Sequence, residues 1–220
     1  MTARAESWAI VVPVKRLTVA KTRIDLAPDV RMALALAMAA DTIRAATGSP
    51  MVEVVVAVCD DQSALDVLRE AGAIVVPDVP DAGLNPALVH GSSVDAVAAD
   101  MAVAALAADL PALHSDELTA LLRVAGDHKA AMVADAAGAG TTVFAATDRD
   151  GFRPSFGTDS RSRHLTAGAT DLTGVAGTTL RRDVDTLADL SEANALGLGP
   201  ATTRLLADLA WGGASDGTKL

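Results

Sequence analysis

The segment Val103-Ala104-Ala105-Leu106-Ala107-Ala108-Asp109-Leu110-Pro111 constrains this fold more than any other. It is an apolar run with no polar face, and it ends abruptly in a carboxylate. Such a run, bounded by turn signals, suits a strand buried on both faces, although periodicity alone leaves a helix open. Pro111 has no N–H and cannot continue a ladder, so the strand should stop there. Asp109 is then expected at the carboxyl end of a central strand, where open α/β sheets place their ligands. A carboxylate fixed at that rim is suited to Mg²⁺, a hard ion that takes oxygen ligands. A plain strand end, or a cap for the helix expected from Ser115, would explain Asp109 equally simply.

The remaining chain repeats the same rhythm. Trp8–Val14 reads as a first strand that weakens at Pro13. Asp29–Ala46 reads as a long helix after Pro28, and Gly48 ends it. Met51–Val58 reads as a strand, Gln62–Ala71 as a helix stopped by Gly72, and Ala73–Val76 as a short strand. A helix capped by Asn85, with Pro86 at its first position, should run to about Asp100. Ser115–Gly126 reads as a helix, Ala130–Ala134 and Thr141–Ala146 as strands, and Asp135–Gly140 as a flexible loop. Asp159 and Ser160 should cap a helical turn over Arg163–Ala167 and offer free N–H groups to an anion. Thr178–Val184 reads as a late strand. A helix over Leu187–Leu196, capped by Asp185 or Thr186, and a last helix over Pro200–Ala210 complete the series. Alternating strands and helices imply an α/β fold with a mostly parallel central sheet and helices on both faces. One domain is expected over residues 1–210, with 211–220 a disordered tail.

Composition narrows the partners. Half of the residues are hydrophobic but only 2% are aromatic, so alanine, valine and leucine must build the core. A net charge of −10 disfavours nucleic acid and anionic membranes. The single Cys59 allows no internal disulfide and no cysteine-rich zinc site. It is expected as a buried strand end, and His114 and His128 as surface histidines. The N-terminus lacks the order of a signal peptide, and no apolar run reaches the ~18 residues that span a bilayer, so a cytoplasmic location is expected. No obligate protein partner is visible.

Against this acidic background, cations gather in three short stretches: Lys15, Arg16, Lys21 and Arg23; then Arg153, Arg161 and Arg163; then Arg181 and Arg182. A small polyanionic ligand explains such clustering better than DNA does. The first stretch follows the first strand, where α/β proteins hold phosphates. It contains no glycine, so it is neither a Walker A loop nor a dinucleotide fingerprint. Gly83 would let a flat base approach the backbone, and Asn85 could read its edge. Asp183 and Asp185 are two apart and would share a face if extended.

The ordered set Val-Pro-Val-Lys15-Arg16-Leu-x-x-Ala-Lys21-Thr-Arg23, Leu84-Asn85-x-Ala87, Asp109-Leu-Pro, Gly140-Thr141-Thr142, Arg153-x-x-Phe156-Gly157-x-Asp159-Ser160-x-x-Arg163-His164 and Asp183-Val-Asp185-Thr resembles a known family. It is similar to the phosphoenolpyruvate or 2-phospho-L-lactate guanylyltransferases of coenzyme F420 biosynthesis, over roughly Ala9 to Pro200. That resemblance implies a Rossmann-like, GT-A-like nucleotidyltransferase fold. It implies that GTP and a phosphorylated three-carbon acid react to give a guanosine diphosphate-linked acid and pyrophosphate. It also implies that Thr141, Gly157 and Ser160 bind the acid; Arg163 lies nearby as a counter-charge. On this reading Asp109 with Asp183, Asp185 or both holds Mg²⁺. Lys15 and Lys21, helped by Arg16 or Arg23, neutralise the triphosphate, and Gly83, Leu84 and Asn85 contact the nucleoside. The alternatives are a nucleotidyltransferase for a molybdopterin or sugar phosphate, and a non-catalytic module that binds an anionic metabolite.

Overall fold

The computed structural model describes residues 5, 7–14, 21, 23–79 and 81–210. Lys15, Arg16 and the expected tail over 211–220 lie outside them. The elements run β1 (Trp8–Pro13), α1 (Pro28–Thr47), β2 (Val52–Val58), α2 (Leu65–Glu70), β3 (Ile74–Val76), α3 (Leu84–Ser92), β4 (Ala102–Leu106), α4 (Ser115–Ala125), β5 (Ala130–Val133), β6 (Val143–Ala146), α5 (Ser160–Thr166), β7 (Thr170–Asp171), α6 (Leu187–Leu196) and α7 (Pro200–Asp208). The strands form one sheet in the order β3-β2-β1-β4-β6-β5-β7. Every pairing is parallel except those of β6, which runs against β4 and β5.

Alternation along β1 divides the core in two. Trp8, Ile10 and Val12 join Ala39 and Ile43 of α1 and Leu118 and Leu122 of α4 on one face. Ala9 and Val11 join Ala87 and Leu88 of α3 with Phe144 and Phe152 on the other. Both faces are therefore covered, as the two-sided apolar strands require. Small residues bring the layers close. A Cβ on Gly91 of α3 would fall 2.6 Å from Val11 Cγ1 and 2.7 Å from Val58 Cγ2. A third apolar cluster joins Ile24, Leu34 and Met38 to Val184, Leu190 and Leu206, seating α6 and α7 against α1. Beneath α7, the buried Asp41 carboxylate accepts the N–H groups of Ala201 at 2.9 Å and Thr202 at 2.7 Å. It satisfies donors that a helix N-terminus leaves unpaired.

Three expectations fail for local reasons. Thr178–Val184 is not a strand, and its buried apolar residues Leu180 and Val184 join different clusters, four apart rather than alternating. Its polar groups are met by α4 instead. Glu117 Oε2 accepts Thr179 N–H at 2.9 Å and its hydroxyl at 2.6 Å. The sheet edge is the two-residue β7, paired with β5. The helix expected to reach Asp100 ends at Ser92, where Ser93 Oγ donates to the carbonyls of Val89 and His90 at 2.9 Å each. Asn85 is not the cap: Gly83, at φ +102°, precedes the first turn, and Asn85 sits inside it. Among the described residues no helix is long and apolar enough to cross a membrane. Cys59 is buried directly after β2.

Candidate active site

The chain moves outward from β1 through β2 to β3, then crosses back to β4 on the other side of β1. A sheet that reverses direction in this way opens a crevice beyond the carboxyl ends of its strands. A cleft of about 690 Å³ lies there, lined by Pro13 and Val14 at the end of β1 and by Ala107, Ala108 and Asp109 after β4. Antiparallel β6 starts at this rim, so Gly140 and Thr141 line the same cleft.

Asp109 stands three residues beyond β4 and is held from beneath. Thr42 of α1 accepts Leu110 N–H at 3.1 Å, and its hydroxyl faces Met38 O at 2.9 Å and Ala108 O at 3.3 Å. Val184 N–H donates to the Asp109 carbonyl at 3.1 Å. That bond brings the Asp183–Asp185 segment beside Asp109. Arg181 fastens the same segment to the end of β5, donating to Ala134 O at 3.2 Å and Asp135 O at 3.0 Å. Thr186, not Asp185, caps α6 in a reciprocal capping box with Asp189, so the Asp185 side chain is not the cap. Asp109, Asp183 and Asp185 all line the cleft.

A fourth carboxylate, Asp135, joins them. Sequence reasoning placed it in a flexible loop. It follows apolar β5 just as Asp109 follows β4, and that repeated pattern was the available signal. Asp135 also organises its loop, accepting Ala139 N–H at 3.0 Å and Gly140 N–H at 2.9 Å.

Lys21 provides the opposite charge. Its ammonium pairs with Asp109 and, at 2.9 Å, with Asp185. Burial works against that ammonium, but Asp109 and Asp185 outweigh it and raise its pKa above the ordinary lysine value. Arg23 reaches Asp185 at 3.5 Å from a largely exposed position. Burial first, and then the charges of Asp109, Asp135 and Asp185, push the Asp183 carboxyl up to about 7.

The far wall is built on α5. Gly157, at φ +116°, and Asp159, at φ +53°, turn the chain into the helix. Asp159 makes no side-chain capping bond there, contrary to expectation. Ser160 Oγ donates to Thr141 Oγ1 at 3.0 Å. His164, fully buried, lies 3.1 Å from the same oxygen through Nδ1 and accepts Ser155 N–H at Nε2 at 2.8 Å. Asn85 clamps this loop to α3: its Nδ2 donates to Phe156 O at 3.1 Å, and its Oδ1 accepts Phe156 N–H at 2.7 Å.

The expected residues therefore divide by position. Lys21, Arg23, Leu84, Asp109, Thr141, Gly157, Ser160, Asp183 and Asp185 line one cleft. Asn85 faces the Phe156 backbone rather than presenting its amide to a base. Arg163 turns its guanidinium onto Ser155 O at 2.9 Å, behind the loop. Gly83 borders α3 immediately before Leu84.

The family model described as Guanylyl transferase CofC like matches residues 8–211. The chain belongs to this family. Among curated CofC-like relatives, the phosphoenolpyruvate guanylyltransferase of Thermomonospora curvata is 48% identical over 203 residues, covering 91% of this chain and 89% of that protein. A nucleotidyl transferase from Methanothermobacter thermautotrophicus shares the fold with a TM-score of 0.61 at 16% identity, covering 87% of this chain and 98% of its own. A Mycobacterium tuberculosis protein solved as a manganese complex matches with a TM-score of 0.51 at 16% identity, covering 86% and 98%. The nucleotidyltransferase-type α/β architecture expected for a CofC-like chain is thus the one observed.

Proposed function

We infer that this protein is a phosphoenolpyruvate guanylyltransferase acting in coenzyme F420 biosynthesis. It joins GMP from GTP to the phosphate of phosphoenolpyruvate, giving enolpyruvyl-2-diphospho-5'-guanosine and pyrophosphate. Membership of the CofC-like family carries this reading. The cleft supports it chemically.

In the reaction, a phosphate oxygen of the acid attacks the α-phosphorus of GTP. The bond from that phosphorus to the bridging oxygen breaks, and pyrophosphate departs. The nucleophile is already ionised at neutral pH, so no base is needed. The obstacle is repulsion between two polyanions. Unit charges about 4 Å apart repel by about 4 kcal/mol even at an effective dielectric near 20. Lys21 and Arg23 supply part of the compensating charge from the β1 side, and Lys15 and Arg16 are assigned the same task.

Asp109, Asp183 and Asp185 share one cleft but do not converge on one point, because Lys21 pairs with both Asp109 and Asp185; a divalent cation held by all three would take the place of that ammonium. Asp109, Asp183 and Asp185 present oxygen ligands of the kind Mg²⁺ takes, where burial and then the neighbouring carboxylates make Asp183 resist ionisation. We assign these three as the Mg²⁺ ligands. When bound, the ion would neutralise and polarise phosphoryl oxygens. Lys21, released from Asp109 and Asp185, would then be available to the triphosphate. The backbone at Gly83–Leu84 borders the nucleoside, and Asn85 holds the loop beside it. Thr141, Gly157 and Ser160 receive the acid, with Arg163 bracing that loop.

Mass spectrometry of the product formed from GTP with phosphoenolpyruvate, 2-phospho-L-lactate or 3-phosphoglycerate tests the assignment. A guanosine diphosphate-linked enolpyruvyl product is expected. Pyrophosphate release only with a molybdopterin or sugar phosphate would move the protein to another acceptor class. Ligand binding without any pyrophosphate release would make it a non-catalytic module.

A further inference from the structure

Thr141, Ser160 and His164 form a buried polar group at the acid-binding wall. Their exposures are 7%, 1% and 0%. The imidazole is fixed on three sides. It stacks on Phe144 of β6, with ring centroids 4.5 Å apart and planes inclined by 17°. Phe156 meets it edge-on at 5.5 Å. Its Nε2 faces the backbone N–H of Ser155 at 2.8 Å.

A backbone N–H can only donate, so Nε2 must carry no proton. A neutral imidazole then holds its single proton on Nδ1. Burial first, and the neighbouring Arg163 guanidinium second, lower the His164 pKa to about 4, so the ring is neutral at neutral pH. Nδ1–H lies between Thr141 Oγ1 and the backbone of Ser160, and Thr141 Oγ1 also accepts the Ser160 hydroxyl. A hydroxyl oxygen has two acceptor sites. Both are occupied from within the protein, and the Thr141 proton is left to donate into the cleft.

We propose that His164 is a positioning residue that locks Thr141 as a hydrogen-bond donor toward the acid substrate, so that this wall accepts a pure acceptor, an ionised carboxylate or phosphate oxygen. The proposal rests on the reading of Thr141 as an acid-binding residue. It adds a selection rule: a ligand carrying a hydroxyl or amine donor at that point meets a donor, not an adaptable hydroxyl.

Two neutral substitutions separate this role from packing. His164→Asn places an amide near the Nδ1 position and keeps a donor for Thr141. His164→Gln places its amide near the Nε2 position, keeps a partner for Ser155 and removes that donor. Both lose the ring stacked on Phe144. Calorimetric titration with phosphoenolpyruvate should give a near-wild-type Kd for His164→Asn. For His164→Gln the Kd should rise about tenfold or more, as for loss of a hydrogen bond to a charged group, with the KM for GTP unchanged. Adding His164→Gln to Thr141→Val should weaken binding no further than Thr141→Val alone. Equal losses in the two His164 variants, or multiplying losses in the double variant, overturn the proposal.

The ¹⁵N spectrum of the wild-type protein needs neither variant. A neutral Nδ1–H tautomer is expected for the buried ring, and an Nε2–H tautomer overturns the proposal. Should the wild type bind no phosphoenolpyruvate, the functional reading falls, and the tautomer alone decides how Thr141 is oriented.

Discussion

Val184 N–H donates to the carbonyl of Asp109 at 3.1 Å, and this bond sets Asp183 and Asp185 beside a carboxylate more than seventy positions earlier in the chain. The bond uses only backbone atoms. Substitutions of the three side chains should therefore change the chemistry of the rim without dismantling it.

Asp109→Asn should keep the fold and lose turnover. It preserves size and the Val184 bond but removes one proposed cation ligand and one partner of Lys21. If the bound cation contributes several kcal/mol, pyrophosphate release from GTP and phosphoenolpyruvate should fall roughly 10²- to 10⁴-fold. Near-wild-type turnover would remove Asp109 from the mechanism. Thermal unfolding should remain cooperative.

Asp183 gives a signed pH effect. Its carboxyl titrates near 7 in the folded chain, well above the ordinary value of 3.8. The folded state therefore binds more protons than the unfolded state between those values, and this residue's contribution to stability is lost as pH rises through about 7. Asp183→Asn removes the titration. In chelator-treated protein the variant should match wild type below about pH 4, gain on it progressively from there to about pH 7, and melt higher near pH 8. Added Mg²⁺ should narrow the pH 8 difference by stabilising only the wild type. A pH-independent difference would contradict the assignment.

Asp41 is the corresponding test of architecture. Its buried carboxylate caps α7 from α1 and also pairs with Arg44 at 3.3 Å. Asp41→Ala leaves two N–H groups and part of a guanidinium unmatched. A loss of about 2–3 kcal/mol is expected. For a chain of this size that corresponds to a Tm roughly 5–10 °C lower by calorimetry. Turnover at low temperature should persist, because Asp41 lies away from the cleft lining.

Asn85 distinguishes a clamp from a base contact. Asn85→Asp keeps an acceptor for Phe156 N–H but sets a carboxylate oxygen against Phe156 O. The loop carrying Gly157 and Ser160 should loosen, raising the KM for phosphoenolpyruvate more than the KM for GTP in steady-state assays. The opposite split would return Asn85 to the nucleoside.

Much of this arrangement is readable from residues alone. The two-sided apolar runs of β1 and β4 specify a covered sheet, but β4 stops at Leu106, short of the end expected at Pro111, because Ala108 to Pro111 leave the ladder and are held by Thr42 and Val184 instead. Asp109 is legible because nothing polar precedes it. Asp135 is hidden by the glycines and alanines after it, which suggest flexibility, although its own carboxylate ties that loop together. The Thr178–Val184 segment misleads because β-branched residues favour strands only where a neighbouring strand is available. Here Glu117 satisfies the backbone first, and Gly177 lies so close that a Cβ would sit 2.0 Å from that carboxylate. The Asn85 clamp is invisible because its partner is a backbone seventy-one residues away.

The reversed direction of β6 has a consequence for how such enzymes diversify. A strand entering the sheet from the reactive end needs only a hairpin from β5, not a crossover helix. Insertions or deletions between Asp135 and Thr141 can therefore reshape the wall assigned to the acid while the β1 side of the cleft keeps its frame.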